Sequence, residues 1–155
     1  MKIAFGCDHA GVDLKNILMA HAAQQGFEVK DYGCYEKASV DYPKYGFIVG
    51  KAIVDGECDL GVVVCGTGAG ISIAANKVKG IRAVACSDPF TARMCREHNN
   101  ANVLGIGARV VGDELAKTIL DAYLSASFLG ERHARRVDML IEIDETRDLA
   151  AAHAD

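Results

Sequence analysis

The run Leu60–Cys65, Leu-Gly-Val-Val-Val-Cys, is apolar without alternation and opens directly into Gly66-Thr-Gly-Ala-Gly70. A strand with one wet face alternates polar and apolar residues, whereas an unbroken apolar run is covered on both faces, as inside a parallel sheet flanked by helices. The rest of the chain repeats this strand-then-helix order. Strands are predicted over Lys2–Phe5, Phe27–Asp31, Leu60–Cys65, Ile81–Cys86 and Asn102–Ile106. Between them, helical spacing runs from Val12 through Leu14, Ile17, Leu18 and His21 to a closing Gly26. Asp41-Tyr42-Pro43 opens a second helix whose inner face is Ile48, Val49, Ala52 and Ile53, with proline where its missing donor costs nothing. Helices follow over Ile71–Lys77, Pro89–Glu97 and Gly112–Ala122, and a charged one over Glu131–Leu149 has Val137, Leu140 and Ile141 as its apolar stripe. The alternation predicts an α/β fold: a single Rossmann-like three-layer αβα sandwich with a five-stranded parallel sheet and an extra C-terminal helix. That last helix has no following strand and is expected to pack on a partner subunit.

Composition narrows the function classes. The 155 residues carry a net charge of -4, which gives no global positive field for nucleic acid. No apolar run reaches the roughly 18 residues of a membrane span. Ile3–Phe5 before Gly6 is too short for a secretory signal, so a cytoplasmic location is expected. The six cysteines, Cys7, Cys34, Cys58, Cys65, Cys86 and Cys95, lack metal-site spacing and are expected to be reduced thiols, most of them core residues.

Ligands of open α/β sheets sit beyond the carboxyl ends of the strands. The polar residues there are Asp8 and His9 after strand one, Cys65 and its glycine loop after strand three, Ser87-Asp88 after strand four, and Arg109 after strand five. Three glycines in five residues let backbone N–H groups converge on an anion, and the helix starting near Gly70 adds its positive end. A thiol beside such donors is activated as base or nucleophile. A cysteine phosphatase needs an Arg where this chain has Ile71. A dinucleotide fingerprint needs different glycine spacing and an acid where Cys86-Ser87 stands. Base or nucleophile remain open on these grounds. Arg132 and Arg136 share one helix face with His133 beside them, a pattern that suits either a phosphate or a solvated charge run. His98 and Asn99 follow the fourth helix and precede strand five, away from the other strand ends. His21 and His153 read as structural or exposed.

Gly6-Cys-Asp-His-Ala-Gly11, Asp41-Tyr-Pro43, Cys65-Gly-Thr-Gly-Ala-Gly-Ile-Ser-Ile-Ala-Ala-Asn-Lys77, Gly80-Ile-Arg-Ala83, Glu97-His-Asn99, Asn102-Val-Leu, Gly107-Ala-Arg-Val-Val-Gly112 and Arg132-His-x-x-Arg136 occur in this order. Together they resemble the type B ribose 5-phosphate isomerases, over residues 1–143, leaving 144–155 as a tail. The resemblance implies interconversion of D-ribose 5-phosphate and D-ribulose 5-phosphate without metal or organic cofactor, in a homodimer or dimer of dimers. It implies that Cys65 moves the proton between C2 and C1 through a cis-enediolate, and that Gly66, Gly68 and Gly70 form the anion hole. Thr67 would shuttle the hydroxyl proton and His98 would open the furanose. Asp8, Tyr42 and Asn99 would orient sugar hydroxyls, and His9, Arg109, Arg132 and Arg136 would hold the phosphate, some of them from the partner subunit. Some members use a downstream Glu as base; here Ala74-Ala75-Asn76 has no acid. An allose, galactose or four-carbon phosphate is the alternative substrate, and a non-catalytic phosphometabolite binder the alternative class.

Overall fold

The computed structural model describes residues 1–150. Its elements are β1 (Lys2–Cys7), α1 (Val12–Gln24), β2 (Glu28–Asp31), α2 (Tyr42–Val54), β3 (Leu60–Cys65), α3 (Ala69–Ala75), β4 (Ala83–Ala85), α4 (Pro89–Asn99), β5 (Val103–Gly107), α5 (Asp113–Leu124) and α6 (Arg132–Thr146). The five strands form one parallel sheet in the order β2-β1-β3-β5-β4. Side-chain alternation sends Ile3, Phe5, Val62, Val64, Leu104 and Ile106 into a core shared with α1, α4 and α5. Ala4, Val63, Cys65 and Val103 face α2 and α3 on the other side. Both faces of β3 are therefore dry, which is why its sequence does not alternate. Each fully buried Phe, Leu or Ile of these layers contributes about 1.5–3 kcal/mol of hydrophobic stabilisation.

Most boundaries shift by a residue or two from the sequence reading, and those of β4, α4 and α6 do so for local reasons that bear on the site. β4 is three residues long. The Arg82 N–H leaves the ladder for the Asn102 side-chain oxygen, and the Asn76 amide pairs with both the N–H and the C=O of Ala83, covering the strand's free edge. α4 extends through His98 and Asn99 and stops where Asn100 turns left-handed, so these two residues form its last turn and do not follow it. α6 begins at Arg132 because Gly130 and Glu131 have positive φ, and it ends before Arg147, which does too. Of its expected stripe only Val137 is buried; Leu140 and Ile141 are exposed, and His133 takes the inward place a turn earlier.

α6 runs past position 143, and Asp144 accepts the Gly80 N–H at 2.5 Å. Residues 151–155 of the expected tail, with His153, lie outside the described residues. His21 bridges α1 to Asp121 of α5 at 2.7 Å. All six cysteines are free and buried. No helix among the described residues is long and apolar enough to cross a membrane.

Candidate active site

The crevice of this sheet opens between β1 and β3, whose flanking helices α1 and α3 lie on opposite faces. Asp8 leaves β1 there, buried, its N–H donating to the Val64 carbonyl at 3.1 Å. Its carboxylate accepts the Ala10 N–H at 2.9 Å, which fixes the side chain at the start of α1. Next to it His9 accepts the Val40 N–H on Nδ1 at 3.3 Å. A neutral His9 ring therefore carries its proton on Nε2.

Cys65 ends β3, and its thiol accepts the Gly68 N–H at 3.1 Å. The chain can turn back over the sulfur because Gly68 adopts φ +77, a left-handed conformation costly for any residue with a Cβ. A Cβ there would also come within 2.9 Å of the Ile106 backbone, so the loop lies directly against β5. The β5 end is tied to the same loop: Ala108 donates to the Cys65 carbonyl at 2.8 Å and Arg109 to the Gly66 carbonyl at 3.0 Å. The exposed Arg109 side chain lies over Gly66, with Nη1 only 3.6 Å from where a Cβ would be. On the other flank the Tyr42 ring covers Gly70, whose Cβ would be 2.9 Å from Cζ. Thr67 is exposed, its hydroxyl 3.4 Å from the Ala69 N–H. The helix starts at Ala69, two residues before the run Ile71–Lys77 read from sequence, and the N–H groups of its first turn have no intrahelical acceptor.

One cluster at the carboxyl edge thus unites Asp8, His9, Tyr42, Cys65, Gly66, Thr67, Gly68, Gly70 and Arg109. His98, Asn99, Arg132 and Arg136 do not join it. α4 runs back across the sheet and delivers His98 and Asn99 to the amino edge, just before β5 begins at Val103. The register pairs Gly61 with Val103 at that edge and Cys65 with Gly107 at the other. Four residues of strand separate them, about 13 Å at ~3.3 Å per residue.

The amino-edge residues form a second cluster. His98 stacks on His133 with ring centroids 4.2 Å apart and planes 5° from parallel. Arg132 Nε stands 3.5 Å from His133 Nε2, and Arg132 and Arg136 extend exposed from the same end of α6. Burial, and then the neighbouring His98, Arg132 and Arg136, lower the pKa of His133, with Glu131 opposing. His133, read from sequence only as a basic neighbour of the two arginines, is the buried and stacked member of this cluster. Its signal was its place one turn before buried Val137 on the same helix face. Among the described residues no group of three or more His, Cys, Asp or Glu is arranged to hold a metal ion.

Residues 3–140 match the model of the family described as Ribose/Galactose Isomerase. The chain belongs to this family. Ribose-5-phosphate isomerase B of Escherichia coli (strain K12) is 52% identical over 147 residues, 95% of this chain and 99% of that protein. The solved ribose-5-phosphate isomerase B of Clostridium thermocellum superposes with a TM-score of 0.93 at 51% identity, covering 96% of this chain and all of that one. The Mycoplasma genitalium ribose-5-phosphate isomerase B with bound ribulose-5-phosphate superposes at 0.88 with 41% identity, covering 94% of this chain and 97% of that one. Both edge clusters, from Asp8 to Arg136, fall within the stretch that matches the ribose/galactose isomerase family.

Proposed function

We propose that this chain interconverts D-ribose 5-phosphate and D-ribulose 5-phosphate, with Cys65 as the base. The observation that carries the reading is the Cys65 thiol, held by a loop N–H at the mouth of the crevice between Asp8 and Arg109, in a chain of the ribose/galactose isomerase family. A relative bearing the name ribose-5-phosphate isomerase B at 52% identity supports the pentose assignment.

Isomerisation needs a C2 proton removed from the open-chain aldose, an enediolate held, and a proton delivered to C1 of the same face. The Cys65 thiolate takes the C2 proton as electrons move toward O1. The loop amides between Gly66 and Gly70 stabilise that oxygen by fixed dipoles that need no reorganisation during the step. The Thr67 hydroxyl passes the remaining hydroxyl proton between O2 and O1, and Cys65 returns its proton to C1. Asp8 and Tyr42 orient sugar hydroxyls. His9, through its Nε2 proton, and Arg109 bind the distal phosphate.

His98 and Asn99 end α4 at the amino edge, with the arginine-bearing start of α6 against them, while Cys65 lies at the carboxyl edge, about 13 Å of strand further on. The amino-edge residues complete the crevice of a second copy, which makes the active unit a homodimer or a dimer of dimers. There His98 opens the furanose, Asn99 contacts the sugar and the two guanidinium groups meet the phosphate dianion.

The test is incubation with ribose 5-phosphate in heavy water. Wild type forms ribulose 5-phosphate and brings deuterium to the carbons that exchange protons; Cys65→Ala does neither yet still folds. Full activity in Cys65→Ala would end the mechanism, and a chain that binds without exchange would be a binder. The same assay with four- and six-carbon sugar phosphates overturns the pentose assignment should either turn over faster.

A further inference from the structure

We infer that Ser72, buried beneath the loop, is a positioning residue for the reaction. This rests on the reading of Cys65 and its loop given above. Ser72 is 4% exposed and its hydroxyl donates to the Gly68 carbonyl at 2.7 Å. The Ser72 N–H reaches the same carbonyl at a longer 3.3 Å, so the hydroxyl is the closer hold.

Serines inside helices often bond back to the carbonyl four residues earlier, with little consequence. Here the carbonyl belongs to the left-handed glycine at the helix cap, between Cys65 and the first turn. A glycine's following peptide flips at little steric cost, because no Cβ opposes the rotation. In a planar trans peptide the C=O and the next N–H point in opposite directions. Holding the Gly68 carbonyl down onto Ser72 therefore aims the Ala69 N–H up, on the side where the Thr67 hydroxyl stands 3.4 Å from it. The same hold fixes ψ of Gly68 while its own N–H contacts the Cys65 thiol. A flip would turn Ala69 N–H away from the crevice and present a carbonyl oxygen to an enediolate.

The sheet leaves room for this hydroxyl on purpose-sized ground. A Cβ on Gly105 of β5 would lie 1.9 Å from Ser72 Oγ and 3.0 Å from the Gly68 carbonyl oxygen. Gly105 is thus the absence that admits the hydroxyl, and two residues outside the crevice set the loop's direction.

Ser72→Ala and Gly105→Ala remove the same hold from opposite sides. Each is assayed well below its own melting midpoint, so that all the enzyme is folded. Ser72→Ala is expected to lower kcat by about ten- to a hundredfold, the scale of misaimed or missing anion-hole donors. KM for ribose 5-phosphate changes by less than about threefold, since phosphate contacts are elsewhere. Gly105→Ala gives the same pattern alone, and adds less than about threefold on the Ser72→Ala background, because residues acting through one contact are not additive. Packing alone would lower the melting midpoint and leave kcat unchanged, and that result overturns the proposal. Independent, multiplying losses from the two substitutions also overturn it. Should Ser72→Ala not fold, the kcat-against-KM pattern of Gly105→Ala decides. Cys65→Ala run alongside separates the two ideas: retained activity there ends the base assignment, whereas a dead Cys65→Ala with a fully active Ser72→Ala ends only the positioning role.

Discussion

Combining two inactive variants is expected to restore activity. Cys65→Ala removes the proposed base and His98→Asn the proposed ring-opening group, and each loss is worth about 10²–10⁴ in rate for acid–base catalysis. In one chain the two residues stand at opposite ends of β3 and β5, with Gly61 paired to Val103 near one and Cys65 to Gly107 at the other. The strand between those ends spans about 13 Å, several times the roughly 3 Å reach of a proton transfer. In the shared crevice proposed above, Cys65 comes from one protomer and His98 from the other. In a mixed dimer one crevice collects both lesions and the other none. Dissociating the two variants in urea, mixing them in equal amounts and refolding makes half of the dimers mixed. With one sound crevice in each mixed dimer, specific activity recovers to about a quarter of wild type in a two-fold assembly. Ribulose 5-phosphate formation is followed continuously before and after exchange. Activity that stays at the sum of the unmixed variants would refute the shared crevice, because a site contained in one chain leaves a lesion in both halves of every mixed dimer.

Other outcomes follow from the packing and charge. Lys15 is 1% exposed, with both Asp31 carboxylate oxygens at 2.7 Å and the Cys34 carbonyl at 3.1 Å. Lys15→Met leaves Asp31 without its cation and lowers unfolding free energy by about 3 kcal/mol, read as a drop in urea midpoint at unchanged slope; a shift below a tenth of that contradicts the assignment. A Cβ on Gly46 would lie 2.5 Å from the Ile71 carbonyl and 2.9 Å from Ala74 Cβ. Gly46→Ala should cost about 1–3 kcal/mol of stability by overpacking, with kcat falling as α3 shifts, both measured on one preparation. His133 resists protonation in the fold, mainly through burial and then through the charge of His98, Arg132 and Arg136. The unfolded chain takes up that proton near the ordinary 6.5 and the folded one does not. Stability is therefore complete above that pH, declines as pH falls through it and levels off below the folded value. His133→Gln flattens that part of a urea-stability profile; an unchanged slope assigns it to other groups.

The layers were legible because burial writes itself into hydrophobic pattern: β3 is apolar on both faces and lies between two cores. The carboxyl-edge half of the site was legible for a related reason, since parallel strands all deliver their ends to one side. The amino-edge cluster was named only through the family resemblance, because a helix end carries no such rule. His98 looked like a loop residue after α4 and is its last turn, a boundary set by the left-handed Asn100. The three-residue β4 was also hidden, since the Asn102 side chain takes the Arg82 N–H out of the ladder and the Asn76 amide caps the outer edge at Ala83. Lys15 and Ser72 show a further limit. Both are polar residues whose burial depends on one distant partner each, Asp31 and the space over Gly105, and neither partner is near in spacing or pattern.

The short helix α3 is wedged between two surfaces that have no side chain to give way, Gly46 on one side and Gly105 on the other. A two-turn helix so confined cannot shift to suit what it meets. In the reaction proposed above, the loop at its head would act as a fixed gauge, measuring the two-carbon reacting end that aldose phosphates have in common whatever their length. Discrimination by chain length would then fall to parts that can yield, the exposed Arg109 and Tyr42 side chains and the loop that reaches His9 through Val40. A change of preferred sugar would thus be sought by altering those parts, with the wedge kept as it is.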